Sequence, residues 1–372
     1  MRVIQVRHWA AVHAWAGLAA SLVLAVIGAS GALLVFKDDW IRLTVPGARD
    51  TVALDDPALA RVAEAAEEAF GADRIEAVKF ATPDLGVHRI YLADGGGAYL
   101  DGTGAVVDRW PKNGRLEDWL LDLHFKLLAG PAGEAAAGWL GLVGTALALS
   151  GVVIWWPARR SYRRRFVPRS GDRRELLGTH RDTGVWAAVP LVILCMSGSM
   201  MIFDAPTVAV LERLFGATAE PPLPAPASTA DADAGEPRVD WRDLFDEGRR
   251  LFPEGVARIA SWPAPGGFAV VRYRQPAEWH PNGRSTLTYD PAARRVVQHA
   301  DATRFGLGLR INHALYPIHS ARIGGPLYAA FVAVAGMMLA WLGLLGACSF
   351  LRRSRRAALP RAAGPVTDRQ RP

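Results

Sequence analysis

Four histidines lie at the start of four long apolar segments, and the residues around them repeat in two pairs. The first pair is His13 and His180, each followed by glycine at the fourth position. The second pair is His124 and His319, each followed by Gly-Pro at the sixth and seventh positions. Neutral imidazole is a normal axial ligand of haem iron. Two imidazoles at one depth of a membrane can hold one haem, so the two pairs predict two haem sites.

Four apolar segments are long enough to cross a membrane. They cover residues 9–36, 131–157, 176–203 and 324–351. A transmembrane helix needs roughly 20 residues to cross about 30 Å of hydrocarbon. The first segment also has the basic flank of a signal peptide, but it is far longer than the roughly 7–15 residues of a signal-peptide core. We therefore expect four transmembrane helices, the first of them retained.

Arginines are concentrated on one side of these segments. The short loop at 158–175 contains eight arginines, and four more lie at the start of the tail at 352–372. The positive-inside rule places this loop and both termini in the cytoplasm. Residues 37–123 and 204–318 then face the periplasm or the cell exterior. Because topology explains the net charge of +7, we expect a lipid membrane as a partner and no nucleic acid.

The topology places the two histidine pairs at two depths. The first and third segments begin on the cytoplasmic side, and the second and fourth begin on the outer side, so each pair shares one level. Gly17 and Gly184 lie one helical turn beyond the first pair, on the same helix faces. We expect these two glycines to leave a flat gap for a porphyrin. Glycines farther along the segments are expected to allow close helix approach.

Other histidines and one arginine are further candidates. His313, six residues before His319, is an alternative ligand of the outer haem. Arg181 either pairs with a haem propionate, for which arginine has suitable geometry, or is one more residue that follows the positive-inside rule. The histidines that we expect to be solvated in the outer regions are His88, His280 and His299.

The sequence disfavours other redox chemistry. The two cysteines, Cys195 and Cys348, lie in apolar segments, and the absence of Cys-x-x-Cys-His excludes covalent attachment of c-type haem. The segments lack the close carboxylate and cysteine clusters of non-haem metal sites. Neither a Gly-x-Gly-x-x-Gly motif nor a P-loop is present, so the electron donor is external: a quinol, a flavoprotein or a soluble reductase. The predicted cofactor is haem b.

The two outer regions repeat one order of elements: a helix, strands, a turn after an aspartate and a Val-Val strand. The predicted elements cover 56–70, 75–80, 87–92, 98–101 and 105–107 in the first region, and 241–252, 256–261, 268–273, 286–290 and 295–297 in the second. A short surface helix is expected at 116–128. Residues 216–238 are rich in Pro, Ala and Asp, which predicts a flexible linker.

These motifs resemble the PepSY-associated transmembrane helix family of iron-regulated bacterial inner-membrane proteins. The matching stretches are His13 to Leu18 with Ser30-Gly31, Leu123-His124 with Ser150-Gly151 to Trp155, His180-Arg181 to Gly184 with Ser197-Gly198, and Ile318-His319 to Gly325. The resemblance covers nearly the whole chain except the linker and the tail. It implies an α-helical membrane protein built from two repeats of helix, periplasmic α+β PepSY-like module and helix. The chain departs from the family at Ser320-Ala321, where we expect a glycine.

The family includes haem-containing ferric-siderophore reductases, and the resemblance implies an oxidoreductase of this kind. Electrons would enter on the cytoplasmic side and reduce Fe(III) in a periplasmic ferric siderophore, or another ferric chelate, to Fe(II), which releases the iron. The implied cofactors are two haem b groups held by the two histidine pairs. Two other functions remain open from the residues: a periplasmic binding or regulatory protein without redox activity, and an electron-transfer subunit for a protein partner.

Overall fold

The computed structural model describes residues 3–216, 238–263 and 267–357. Most of the predicted linker at 216–238 lies outside the described residues. The α-helices are α1 Val3–Leu34, α2 Lys37–Thr44, α3 Asp56–Phe70, α4 Leu116–Lys126, α5 Gly130–Trp155, α6 Arg173–Ile202, α7 Asp204–Phe215, α8 Trp241–Leu251, α9 Leu307–His319 and α10 Gly325–Ala357. The strands are β1 Ile75–Lys79, β2 His88–Leu92, β3 Gly97–Leu100, β4 Val106–Trp110, β5 Val256–Ser261, β6 Ala269–Arg274, β7 Ser285–Asp290 and β8 Arg295–Ala300.

Four helices are long and apolar enough to cross a membrane, as the sequence predicts. The candidate spans are His8–Leu34, Gly130–Ser161, Arg173–Ile202 and Gly325–Arg352, with 27, 32, 30 and 28 residues. Each exceeds the roughly 20 residues that a bilayer requires. The protein is therefore a membrane protein with four candidate transmembrane helices. The sequence analysis missed α2 and α7, the short helices that directly follow the first and third of them.

The chain divides into two compact units. The described parts of residues 1–29, 142–192 and 335–372 form the first, here called the bundle unit. Residues 30–141 and 193–334 form the second, here called the sheet unit. In the bundle unit, a Cβ added to Gly28 would lie only 2.6 Å from the carbonyl oxygen of Gly336. The two helices therefore meet at their backbones, which only small residues permit.

The eight strands of the sheet unit form one antiparallel sheet in the order β4-β3-β2-β1-β5-β6-β7-β8. The sequence predicts two modules, and the structure joins their two four-stranded meanders edge to edge. Ala77 of β1 lies opposite Ser261 of β5, and Lys79 lies opposite Ile259. This pairing satisfies the backbone groups of two strand edges that separate modules would leave open. The two repeats therefore share one sheet.

Two equivalent helices, α3 and α8, cover one face of this sheet. Asp55 and Asp240 cap them, and each carboxylate accepts a hydrogen bond from a backbone N–H three residues later, at 2.8 Å and 3.1 Å. Such caps satisfy N–H groups that the first helical turn leaves unpaired. Leu244, Phe245 and Val271 lie in the core between helices and sheet and are completely buried. Burial of this apolar face holds both helices on the sheet.

The turns predicted after Asp101 and Asp290 are both present. The Asp101 carboxylate accepts hydrogen bonds from the backbone N–H groups of Thr103 and Ala105. The Asp290 carboxylate accepts the corresponding bonds from its own turn, at 2.9 Å and 3.1 Å. Aspartate favours such turns because its side chain replaces a backbone acceptor. The repeat in the sequence is thus also a repeat in structure.

Substitution of the shared core should destabilise the sheet unit. Leu244→Ala removes a completely buried side chain, and we expect a loss of about 2–5 kcal/mol in the free energy of unfolding. Val106→Ala is the control, because Val106 is 44% exposed and should change that free energy by less than about 0.5 kcal/mol. Urea unfolding of the detergent-purified protein, followed by tryptophan fluorescence, measures both. Equal midpoints for the two variants would contradict the assigned core.

Short helices before two of the spans carry the second histidine pair. His124 lies in the last turn of α4, and His319 is the last residue of α9. The chain then turns through residues with positive φ, which include Leu127 at 51° after α4 and Ala321 at 56° and Gly325 at 65° after α9. Ala321 adopts this left-handed conformation where the family pattern suggests a glycine, at a cost of roughly 1–2 kcal/mol. These turns fix both histidines just before a long helix.

Candidate functional site

The first histidine pair lies in the bundle unit. The imidazoles of His13, on α1, and His180, on α6, have ring centres 6.3 Å apart and planes inclined by 78°. A metal ion between two imidazoles, with bonds of about 2.0–2.1 Å, sets their ring centres about 6 Å apart. The two side chains are therefore spaced as axial ligands of a single metal ion.

The second histidine pair lies in the sheet unit and has nearly the same spacing. The ring centres of His124 and His319 are 6.0 Å apart, and their planes are inclined by 50°. Burial, with a contribution from neighbouring His124, lowers the pKa of His319 to about 4. The His319 imidazole is therefore neutral at pH 7 and keeps a lone pair that can bind a metal.

Hydrogen bonds at Nδ1 set the tautomer of the first pair. His180 Nδ1 lies 3.1 Å from the carbonyl oxygen of Leu342. Because a carbonyl only accepts, Nδ1 carries the proton and Nε2 keeps the lone pair. His13 Nδ1 lies 2.9 Å from Ser150 Oγ, and this hydroxyl donates its proton to the carbonyl oxygen of Leu147 at 3.2 Å. Ser150 must then accept from His13, which again leaves the lone pair on Nε2.

The second pair is held in the same way. His319 Nδ1 lies 3.0 Å from Ser197 Oγ, whose proton goes to the carbonyl oxygen of Leu194 at 3.2 Å. His124 Nδ1 lies 3.3 Å from Ser30 Oγ. Partners of this kind orient metal-binding histidines and raise their basicity. Three of the four rings thus have Nε2 as the nitrogen available to a metal, and the fourth has the same type of partner.

Four glycines lie against the four imidazoles. A Cβ added to Gly31 would lie 2.6 Å from His124 Cε1, and one added to Gly198 would lie 3.0 Å from His319 Cε1. For Gly151 against His13 and Gly346 against His180, the corresponding distances are 3.5 Å and 3.6 Å. The sequence analysis assigns these glycines to helix packing, but their contacts are with the imidazoles. The repeated Ser-Gly pairs therefore supply both a hydrogen-bond partner and space for the ring.

A cavity of about 690 Å³ adjoins the first histidine pair, and both imidazoles line it. Gly17 and Gly184 also line this cavity. A Cβ added to either would approach other atoms no closer than 3.9 Å and 3.7 Å, respectively, so space remains beside both backbones. The volume lies within the range of about 300–1,000 Å³ of cofactor and ligand pockets. An open cavity therefore adjoins both glycines.

The donor sets fit an iron porphyrin better than a bare metal ion. Among the described residues, no group of three or more His, Cys, Asp or Glu side chains is placed to hold a metal. Protein sites for bare metal ions usually supply three or four ligands. A porphyrin supplies most of the donors to its iron itself, so two imidazoles would be enough to hold it. His13 and His180, beside a largely apolar cavity, would be the residues to hold such a group.

Arginines line the same cavity. Arg181 forms an ion pair with Asp182 at 2.9 Å, and Asp182 is completely buried and also pairs with Arg165. Arg181 is thus fixed by a carboxylate, although it remains on the cavity wall. Arg173, which the sequence analysis did not single out, also lines the cavity, and its buried Nε has no hydrogen-bond partner among the described residues. Arg173 is therefore the better placed of the two to meet an anionic group of a bound cofactor.

The structure places His313, the alternative ligand, against an aromatic side chain. Its ring packs edge-on against Phe305, with centres 5.8 Å apart. Burial, and then the charges of Arg284 and Arg272, lower the pKa of His313 to about 3. His319 has its ring centre 6.0 Å from that of His124, whereas His313 is under the influence of two arginines.

Two of the three histidines that we expect to be solvated are buried, so that expectation is wrong for them. His88 is completely buried, and its Nδ1 accepts a hydrogen bond from the backbone N–H of Ala81 at 3.2 Å. Burial lowers its pKa to about 4. His280 is 5% exposed and stacks on Tyr316. His299 is exposed on β8, as expected. The difference arises because packing onto the sheet and α9 is not visible in the local sequence.

The comparison with protein families agrees with these motifs. The family described as the PepSY-associated TM region matches residues 10–353. A comparison with curated proteins finds no match. The family match includes three candidate spans in full and the first from residue 10 onward, together with both halves of the shared sheet and both histidine pairs. The chain therefore belongs to the family of PepSY-associated transmembrane proteins.

Proposed function

We propose that this protein is a di-haem b-type reductase of the bacterial inner membrane that passes electrons from the cytoplasmic side to a periplasmic ferric siderophore. One observation carries the proposal: two facing histidine pairs, with ring centres 6.3 Å and 6.0 Å apart, in which every Nδ1 has a hydrogen-bond partner. Haem, when bound, supplies one-electron chemistry that no side chain here provides. The family resemblance supports the same activity.

The distribution of arginines supports the direction of transfer. The loop at 158–175 and the start of the tail are rich in arginine, which favours a cytoplasmic location for both. By their positions along the spans, His13 and His180 would then lie near the cytoplasmic ends and His124 and His319 near the periplasmic ends. An external donor, a quinol or a cytoplasmic reductase, loses an electron at the first site. The Fe(III) of the chelate gains one at the second site and leaves as Fe(II).

The protein's own residues prepare these sites for electron transfer. The serine hydroxyls and the Leu342 carbonyl keep three of the imidazoles in the tautomer with a free Nε2. Gly17, Gly184 and apolar side chains form much of the wall of the first site. A fixed set of ligands favours electron transfer because little has to rearrange when the charge changes. In this arrangement no side chain must gain or lose a proton.

Absorption spectroscopy of the purified protein tests the proposal. We expect a Soret band and a pyridine haemochrome of haem b, with about two haems per chain. Reduction by dithionite followed by anaerobic addition of a ferric siderophore should reoxidise the haem stoichiometrically. A colourless protein from haem-replete cells would support a binding or regulatory role instead. Haem that is reducible but never reoxidised by ferric chelates would indicate an electron-transfer subunit for a protein partner.

Filling the cavity should displace the first haem selectively. Gly184→Leu places a branched side chain in the space beside His180, and we expect about half of the haem content to be lost, because one of two sites is blocked. Gly184→Ala is the matched control, since its Cβ would lie 3.7 Å from Leu342, an ordinary contact. Haem content per chain, measured as pyridine haemochrome, decides the outcome. Full haem content in Gly184→Leu would show that this cavity is not a haem site.

A further inference from the structure

One face of the sheet carries a row of cations. Arg89 lies opposite Lys79, Lys79 lies opposite Ile259, and Ile259 lies opposite Arg272. Residues directly opposite one another in a sheet point to the same face. The adjacent residues on these strands lie in the core beneath α3 and α8: Val78, Ile90, Ala260 and Val271. Arg89, Lys79 and Arg272 therefore share the face away from these helices.

Two of the three cations are not neutralised. Arg89 forms an ion pair with Asp118 at 2.6 Å. The side chains of Lys79 and Arg272 form neither a hydrogen bond nor an ion pair with any residue that the structure describes, and both residues are only partly exposed. Buried charges are normally paired, because removing an unpaired charge from water is costly. This unbalanced charge suggests an anionic ligand.

Neighbouring cations act on Lys79. Burial first, and then the charges of Lys37, Arg322 and Arg258, lower the pKa of Lys79 to about 7. The charge of Asp38 acts in the opposite direction, but this carboxylate already forms an ion pair with Arg322 at 2.5 Å. An added anion would therefore stabilise the charged form of Lys79.

Arg284 and His280 lie beside this row of cations. Arg284 Nη2 lies 3.3 Å from His280 Nε2, and the backbone N–H of Asn282 lies 3.2 Å from His280 Nδ1. The loop that carries them packs on β6, because a Cβ added to Gly283 would lie 2.0 Å from the carbonyl oxygen of Tyr273, the residue after Arg272. The charges of Arg272 and Lys79 also act on His280. These groups therefore form one cluster.

This cluster adjoins the helix that carries the second histidine pair. His280 stacks on Tyr316, with ring centres 5.0 Å apart. Tyr316 precedes His319 by three residues on α9, so the two side chains are neighbours on that helix. An anion bound by the cluster would therefore lie beside the helix whose last residue is His319.

We propose that Lys79, Arg272, Arg284 and His280 form the binding site for an anionic ferric chelate, one that binds iron through carboxylate or catecholate oxygens. The proposal rests on the proposed function and specifies its substrate class. Lys79 and Arg272 lie two strand spacings apart, about 10 Å, which suits a compact ligand with several negative charges. Hydroxamate chelates without net negative charge gain nothing from these cations.

Binding of redox-inactive gallium(III) complexes to the full-length protein in detergent tests this site. A hexadentate tricatecholate complex provides the anionic probe, and a trihydroxamate complex without net negative charge provides the comparison. We expect the wild-type protein to bind the anionic complex at least about tenfold more tightly, a preference that salt should weaken. Lys79→Gln and Arg272→Gln should each weaken anion binding about tenfold. Arg295→Gln, which removes an exposed arginine of β8, should leave it unchanged.

Two results would overturn the inference. The first is equal binding of the two complexes by the wild-type protein, which needs no variant to be folded. The second is an Arg272→Gln protein that loses haem but binds the gallium complexes as before. The cations would then hold the propionates of a haem, which are also carboxylates. Gallium binding requires neither haem nor electrons. Absence of haem from the purified protein would instead contradict the proposed function, whether or not the gallium complexes bind.

Discussion

Replacement of His180 by alanine is expected to remove about half of the haem from the purified protein. The facing imidazoles of His13 and His180 are the side chains placed to hold an axial position on each side of one iron. Loss of a partner hydrogen bond alone typically weakens metal binding by about 10–100-fold, so loss of the ligand itself should exceed that. Electron entry from a cytoplasmic donor should fall at least about 100-fold.

Three measurements separate this outcome from general damage. The pyridine haemochrome assay gives haem per chain, and dithionite reduction followed by a ferric chelate shows whether the remaining haem still reacts. Ser150→Ala should weaken the first site less than His180→Ala does, because it removes only the partner of His13 Nδ1. His299→Ala is the exposed-histidine control. Full haem content in His180→Ala would contradict the assignment of the first pair.

The spans and the two pairs could be predicted from sequence because both depend on short-range regularities. Hydropathy over some twenty residues identifies a membrane helix. Helical geometry then fixes the depth of His13 or His180 from its position along the span. The repeated offsets indicate which histidines are equivalent. In the structure, the two rings of each pair lie close together, with ring centres 6.3 Å apart in the first pair and 6.0 Å apart in the second. These features require no knowledge of how distant segments pack.

Features that depend on distant packing were not predictable. Pairing of β1 with β5 joins strands from opposite halves of the chain. The sequence of neither strand indicates that its edge pairs with another strand. Ser30 and Gly31 contact His124, which is 94 residues away. The repeat showed that Ser-Gly pairs recur at fixed offsets, but not that they face an imidazole. The row of cations appears only once the register across four strands is known.

His88 and His280 illustrate the same limit for single residues. Histidine is intermediate in its preference for the protein interior, so position in an outer region predicted solvation. In the structure, Phe80 packs edge-on against His88, and Tyr316 stacks on His280. Both partners approach through tertiary contacts. The cluster around His280 was therefore invisible until the sheet was placed against α9.

His319→Ala should abolish reduction of the ferric chelate, whereas His313→Ala should not. His319 faces His124 at 6.0 Å and is held by Ser197, so its loss should remove the haem of the second pair. The rate of chelate-driven reoxidation, followed by stopped-flow absorption, should fall at least about 100-fold, while the haem of the first pair remains reducible by dithionite.

The matched variant His313→Ala distinguishes the two candidate ligands six residues apart. His313 packs against Phe305, so we expect His313→Ala to retain the full haem content, with any effect confined to the apparent affinity for the chelate. If His313→Ala lost a haem and His319→Ala kept both, the ligand of the second site would be His313.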